Sequence, residues 1–442
     1  MNELRLHLNK YHELVENAHL TRDTGKVTEL IGQMVKGYLP GATLGSICEI
    51  QPVGSERKLL AEVVGFKDQS VMMMPLTDLR GVGLGAKINL LKERATVRVG
   101  EDLLGRVING LGEPIDSEVP IEGEKDLPLY SDTFNPLSRK PIKTALDLGV
   151  RALNGMLTIG EGQRIGIMAG SGVGKSVLMG MMSRYSKADV NVIALIGERG
   201  REVREFIEHD LGKEGMARSV VIVVTSDQSP LIRMRGAFIA TSIAEYFSSL
   251  GKNVLLMMDS ITRFAMAQRE IGLSVGEPPA SKGYTPSVFS LLPKLLERAG
   301  SFENQGSITG LYTVLVEGDD MDEPIADAVR SIVDGHIVLT RSLAQKGHFP
   351  AIDVLQSASR VMKNVISKQH YDAALKLREL IAVYKEAEDL INIGAYKQGA
   401  NPKIDTAVRL IESINQFLKQ RLEEPTNFKD SLHQLQSIVQ QA

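Results

Sequence analysis

Three stretches of this 442-residue chain carry side chains whose types and spacing could act on a phosphoanhydride. The first is Ala169-Gly170-Ser171-Gly172-Val173-Gly174-Lys175-Ser176. Its glycines let the backbone wrap a polyphosphate with the N–H groups pointing inward, a conformation that side chains obstruct. Lys175 supplies a point charge to the β/γ-phosphates of a nucleotide such as ATP, and the Ser176 hydroxyl can ligate Mg²⁺. A helix opening at Val177 would present its positive end to the same anion. The first position of the G-x-x-x-x-G-K-[ST] pattern is Ala169 rather than Gly, a small enough change for the reading to stand.

The second stretch, Val254-Leu255-Leu256-Met257-Met258-Asp259, is an apolar run ending in a carboxylate, the Walker B pattern. In a parallel sheet its end lies at the same edge as the phosphate loop, which places Asp259 behind Ser176 as a metal-holding group. Asp259-Ser260 could also be an ordinary helix cap. The third, Ala194-Leu195-Ile196-Gly197-Glu198, sets a Glu directly after another apolar run. There it could orient and polarise an attacking water. A solvated Glu at a strand end explains the spacing equally well.

These residues need a scaffold, and the periodicity supplies one. Arg164–Met168 reads as the strand before the loop, followed by strands at Val190–Ile196, Val220–Val224, Val254–Met258, Ile308–Val316 and His336–Thr340. Helical patterns fall between them, notably Ser229–Leu250 and Pro286–Ala299. Such alternation predicts an α/β core over 98–349 with a largely parallel sheet and helices on both faces. Upstream, short apolar runs at Val27–Ile31, Ser46–Ile50, Leu59–Phe66, Ser70–Met74 and Lys87–Leu90 alternate with Gly and Pro turns. They predict a small β-barrel over 23–97, with Met72-Met73-Met74 and Cys48 in its core. From 350 to 442 only helical patterns remain, at Tyr371–Leu390, Ile404–Arg421 and Lys429–Gln440. Leu4, Leu8, Tyr11, Val15 and Ala18 form one stripe of an amphipathic helix in 1–22. A helix that short needs a docking surface, its own domain or a partner protein.

A length of 442 residues suggests two or three domains, and 43% apolar with 24% charged residues is the balance of a soluble globular protein. No apolar run is long enough to span a membrane, and the polar N-terminus argues against a cleaved secretory signal. A single cysteine excludes a disulfide framework within the chain and points to the cytoplasm. A net charge of −3 without tryptophan offers no general attraction to nucleic acid.

Longer motifs carry a resemblance. Ile196-Gly197-Glu198-Arg199-Gly200-Arg201-Glu202-Val203, Asp259-Ser260-Ile261-Thr262-Arg263-Phe264-Ala265 and Pro278-Pro279-Ala280-Ser281-Lys282-Gly283-Tyr284-Thr285-Pro286 resemble the ATPases of type III protein export. Glu317-Gly318-Asp319-Asp320-Met321, Glu323-Pro324-Ile325-Ala326-Asp327 and His348-Phe349-Pro350-Ala351-Ile352-Asp353-Val354-Leu355 extend the likeness over nearly the whole chain. The flagellar export ATPases are nearest, the injectisome ATPases a near alternative, and the catalytic β subunit of rotary ATP synthase more distant. Asp322 departs from the Asn expected in much of the family, a surface-type change.

The resemblance implies a RecA-like P-loop core with an N-terminal β-barrel and a C-terminal helical domain, joined as a homohexamer that hydrolyses Mg-ATP. It matches Glu198 to the glutamate that activates water, Arg199 to an interface arginine and Arg360 to an arginine finger acting on the neighbouring subunit. Phe349 falls where an aromatic packs on adenine; unaided, it reads as core and Arg360 as an ordinary helix charge. The implied partners are a FliH-like regulator on the N-terminal helix, a FliJ-like stalk, export chaperone–substrate complexes and the membrane export gate. Association would be peripheral, at the cytoplasmic face of the inner membrane. A hexameric RNA translocase is the alternative from another class, but the barrel region has closely balanced charges and few aromatics for such a groove. A non-catalytic nucleotide-binding subunit would have no need of Lys175, Glu198 and Asp259 together.

Overall fold

Six antiparallel strands close into a barrel in the order Thr24–Ile31, Met34–Tyr38, Ser70–Pro75, Leu59–Lys67, Ile47–Gln51 and Lys87–Lys92, the last pairing with the first. The computed structural model describes residues 23–131, 135–316, 318 and 320–442. The stripe expected in 1–22, and Glu317 and Asp319, lie outside the described residues. The barrel interior is filled by Val27, Val35, Cys48, Ile50, Val63, Met73 and Ile88, each with almost no exposure. All three methionines at 72–74 are buried. Burial, and then the charge of Glu62, push the Cys48 thiol up to about 12. The strand missing from the sequence reading is Met34–Tyr38. It is short, carries Gly37, and joins its neighbour through a two-residue turn, with Ile31 opposite Met34.

This barrel lies in one compact unit ending at Ala95; a second begins at Thr96 and runs to Ala442. The second is built on a sheet in the order Ala358–Ser359, Gly335–Leu339, Arg164–Ala169, Ser307–Leu315, Val254–Asp259, Val190–Glu198, Ser219–Thr225 and Val107–Ile108. All neighbours are parallel except the antiparallel Ala358–Ser359 at one edge. The central strands are buried along almost their entire length, as parallel strands covered on both faces must be. On one face, helix Pro230–Ser249 packs against four strands of the sheet, Val190–Glu198, Ser219–Thr225, Val254–Asp259 and Ser307–Leu315. Ser229 caps it, accepting from the Ile232 N–H at 3.4 Å, and Pro230 occupies the first turn, where its missing N–H costs nothing.

On the other face, Ile165, Ile167, Ile193, Leu195, Leu255 and Met257 share one apolar core with Leu178 and Met182 of helix Lys175–Tyr185. The same core takes in Leu377, Leu410, Ile414, Phe417 and Leu435. These belong to the C-terminal helices Lys368–Asn392, Pro402–Leu418 and Phe428–Val439. The pattern read as a helix through Arg421 therefore ends three residues early, at Leu418. Lys419 is extended, and the Gln420 N–H donates to Phe349 O at 2.9 Å. That early ending brings the segment after Leu418 beside Phe349.

Candidate nucleotide-binding and catalytic site

The phosphate-binding segment leaves the sheet between two parallel neighbours, Ser307–Leu315 and Gly335–Leu339. Ala169 is still the last residue of its strand, paired with Leu315 and Leu339, so nothing at that position requires glycine. Gly172 and Gly174 do adopt left-handed backbone, with φ of 76° and 88°. At Gly174 a Cβ would also stand 3.3 Å from the Phe349 ring, a tight contact that the ring would have to yield to. Gly170 and Val173 are buried, while Ser171, Gly172, Ser176 and Val177 are open to solvent.

Lys175 begins the helix, and its ammonium stands 2.5 Å from Asp259 Oδ1 and 3.7 Å from Glu198 Oε1. Register brings the two carboxylates together: Asp259 ends its strand opposite Leu195, and Glu198 lies three residues further along that neighbouring strand. The Thr313 hydroxyl, one strand over, donates to Asp259 Oδ1 at 2.7 Å. The strand kinks at Gly197, where φ is 73° and a Cβ would meet the Arg263 side chain at 3.0 Å. Burial, reinforced by the negative charge of Asp259, raises the Glu198 carboxyl to about 7 against the opposing pull of Lys175.

Asp259 and the Ser176 hydroxyl are hard oxygen donors beside the cradle, the set that Mg²⁺ accepts when substrate phosphates complete its shell. The buried Asp259 carboxylate, held by both Lys175 and Thr313, fits that ion.

Phe349 is 44% exposed and lines a cavity of about 720 Å³ with Gly174, Val177, Arg151, Pro350 and Gln420. Arg199 turns outward, its side chain 82% exposed and its Nη1 3.2 Å from Glu202 Oε1. Arg360 is brought to neither place. It follows the edge strand, where Ser359 pairs with Gly335, at the start of a strand whose other end, Leu339, pairs with Ala169. The Arg360 N–H donates to Asp334 O at 3.0 Å, and its guanidinium to Val333 O and Arg330 O, each at 3.3 Å. Four residues of strand, about 13 Å, separate it from the loop edge of its own chain. Asp322, with a 94% exposed side chain, stays on the surface.

Sequence reading missed Thr313 and Arg151. Thr313 is a polar residue within an apolar run, a detectable if weak signal. Arg151 gives no signal in any pattern.

Residues 149–359 match the ATP synthase alpha/beta family nucleotide-binding domain, and residues 366–437 the type III secretion system EscN ATPase C-terminal domain. The flagellum-specific ATP synthase of Bacillus subtilis (strain 168) is 53% identical over 416 residues, covering 94% of this chain and 95% of that protein. The chain belongs to this family of export ATPases. Among solved structures, the assembled ATPase EscN of the enteropathogenic E. coli type III secretion system superposes with a TM-score of 0.89 at 47% identity, over 94% of this chain and 100% of that one. EscN in complex with its central stalk EscO gives 0.87 at 46%, with the same coverage. The two matches thus place the nucleotide-binding core and the C-terminal helices in one polypeptide.

Proposed function

We propose that this chain is the ATP-hydrolysing component of flagellar type III protein export, working as a ring. One observation carries the hydrolytic reading: a single buried cluster joins the loop lysine, the strand-end Asp259 and a Glu198 whose carboxyl titrates near neutrality. The backbone from Gly170 to Gly174 and the Lys175 ammonium would bind the β- and γ-phosphates. Ser176 and Asp259 would hold Mg²⁺, which when bound offsets phosphate charge. Glu198 takes a proton from the attacking water, a task suited to a group that ionises close to working pH. Phe349 and Val177 would receive adenine in the cavity beside Gly174.

Because Arg360 lies at the opposite end of strand Gly335–Leu339 from its own loop, about 13 Å away, its role as a finger requires the neighbouring protomer's cradle. Arg199, exposed one residue past Glu198, is suited to sense that neighbour. The assembled state of EscN and its complex with a stalk support a homohexamer and a FliJ-like stalk here. The family resemblance adds a FliH-like regulator on residues 1–22, chaperone–substrate complexes and peripheral docking at the cytoplasmic export gate. Among the described residues no helix is long and apolar enough to cross a membrane. Flagellum-specific relatives at 53%, 50% and 49% identity, against 48% for two type III secretion ATPases, favour the flagellar system.

The test is Glu198→Gln. ATP binding by calorimetry should persist while hydrolysis falls by about 10²–10⁴; normal turnover in this variant refutes the assignment.

A further inference from the structure

Arg151 donates no hydrogen bond to the phosphate loop or the carboxylates, yet its side chain is buried and its fork makes three hydrogen bonds elsewhere. Nε donates to Phe417 O at 3.1 Å, Nη2 to Lys419 O, and Nη1 to Glu424 Oε1 at 2.5 Å. Its backbone N–H donates to Gln420 Oε1 at 2.8 Å. Gln420 Nε2 in turn donates to Gly149 O at 2.8 Å and Glu424 O at 2.7 Å. Every acceptor of the Arg151 fork therefore lies within 417–424.

One of those acceptors, Phe417 O, belongs to the last turn of helix Pro402–Leu418, and a second, Lys419 O, to its C-cap residue. The last carbonyls of a helix have no partner within it, and a cation there is favoured by the helix dipole. The apolar pattern alone runs on to Arg421, but the chain becomes extended at Lys419. Arg151 draws the Lys419 carbonyl inward, and the stretch beyond Leu418 becomes the wall of the cavity that faces Phe349 and Val177.

We infer that Arg151 is a positioning residue for the nucleotide base. By capping the helix at Leu418 it fixes 419–424 opposite the Phe349 ring, so that a purine is gripped between wall and ring. Its contribution falls on base affinity and not on phosphate chemistry. A lysine cannot replace it, since one ammonium lacks the planar fork that reaches the Phe417, Lys419 and Glu424 acceptors together. The inference rests on the reading of this cavity as the base site.

The experiment measures binding of Mg-ATP and of magnesium tripolyphosphate to full-length protein by calorimetry, with steady-state hydrolysis, for Arg151→Gln and Phe349→Ala. Arg151→Gln should weaken ATP about tenfold, the loss of one good base contact. Tripolyphosphate affinity should not change, and KM should rise with kcat preserved. Equal losses for both ligands, or for neither, overturn the inference. If Phe349→Ala weakens ATP and Arg151→Gln does not, the positioning role alone fails. If neither does, the base site itself is wrongly placed. Should Arg151→Gln not fold, Glu424→Ala removes one anchor at a side chain 46% exposed. KM should then rise about twofold to fivefold; an unchanged KM overturns the inference.

Discussion

The Lys175 ammonium sits 2.5 Å from Asp259 Oδ1 and 3.7 Å from Glu198 Oε1, so one cation is shared by two carboxylates in unequal measure. The closer partner is tied down by Thr313 as well. The farther one has its carboxyl raised by burial and then by the negative charge of Asp259. A polyphosphate entering the loop competes with both for the same ammonium.

This inequality sets a pH dependence. Glu198 acts as a base only when ionised, and its carboxyl is raised to about 7 in the free protein. Since kcat/KM reports groups of the free enzyme, it should fall about tenfold per pH unit below that value and level off above it. A flat profile from about pH 5.5 to 8.5 contradicts Glu198 as the base.

Arg360 gives a prediction about mixtures. Arg360→Ala should bind ATP yet lose about 10³-fold or more in turnover. Mixed with the inactive Glu198→Gln variant, it should regain activity, because an intact cradle can then face an intact arginine. Wild-type activity per protomer should also rise with concentration. Mixtures no more active than their parts would show that Arg360 does not act between subunits.

Thr313→Val removes the hydroxyl that orients Asp259 without changing the side-chain volume much. One lost hydrogen bond to a charged group corresponds to about 1.5–3 kcal/mol, so activity at limiting Mg²⁺ should drop about tenfold or more. Excess Mg²⁺ should restore part of it. A magnesium titration identical to wild type counts against the metal role of Asp259.

His348 predicts acid sensitivity of the fold. Burial, and then the charge of Lys419, hold its imidazole down to about 4, below its ordinary value of 6.5. The unfolded chain therefore binds the extra proton first. The stability contributed is full above about pH 6.5 and is lost as pH falls through 4. His348→Gln should flatten the melting temperature over that window relative to wild type. Parallel curves for the two proteins would exclude His348 as a source of acid unfolding.

Cys48 should be inert. With the thiol fully buried and pushed up to about 12, native protein should not react with a disulfide reagent at about pH 8, whereas denatured protein should react at once. Rapid labelling of the native state would mean that the barrel opens.

Much of this was legible in the residues because it is local. The loop, Asp259 and Glu198 each announce themselves by a polar group ending an apolar strand, and parallel pairing brings strand ends to one edge. Five barrel strands could be read from runs of apolar residues; Met34–Tyr38 could not, since Gly37 and brevity conceal it until its partner strands are in place. The end of helix Pro402–Leu418 was illegible for a different reason. Its apolar pattern continues, and what stops it is an arginine more than 250 residues upstream. Arg360 likewise carries no mark of its own, because the role proposed for it depends on a neighbouring copy of the chain.

That placement of Arg360 has a consequence for symmetry. Arg360 stands by Gly335 and the cradle strand pairs with Leu339, opposite ends of one strand, so a finger that serves the next subunit of the proposed ring makes a head-to-tail contact. In any open row of protomers, the cradle at one end and the arginine at the other stay unmatched. Closure into a circle removes both orphans at once, and a single missing protomer reinstates them.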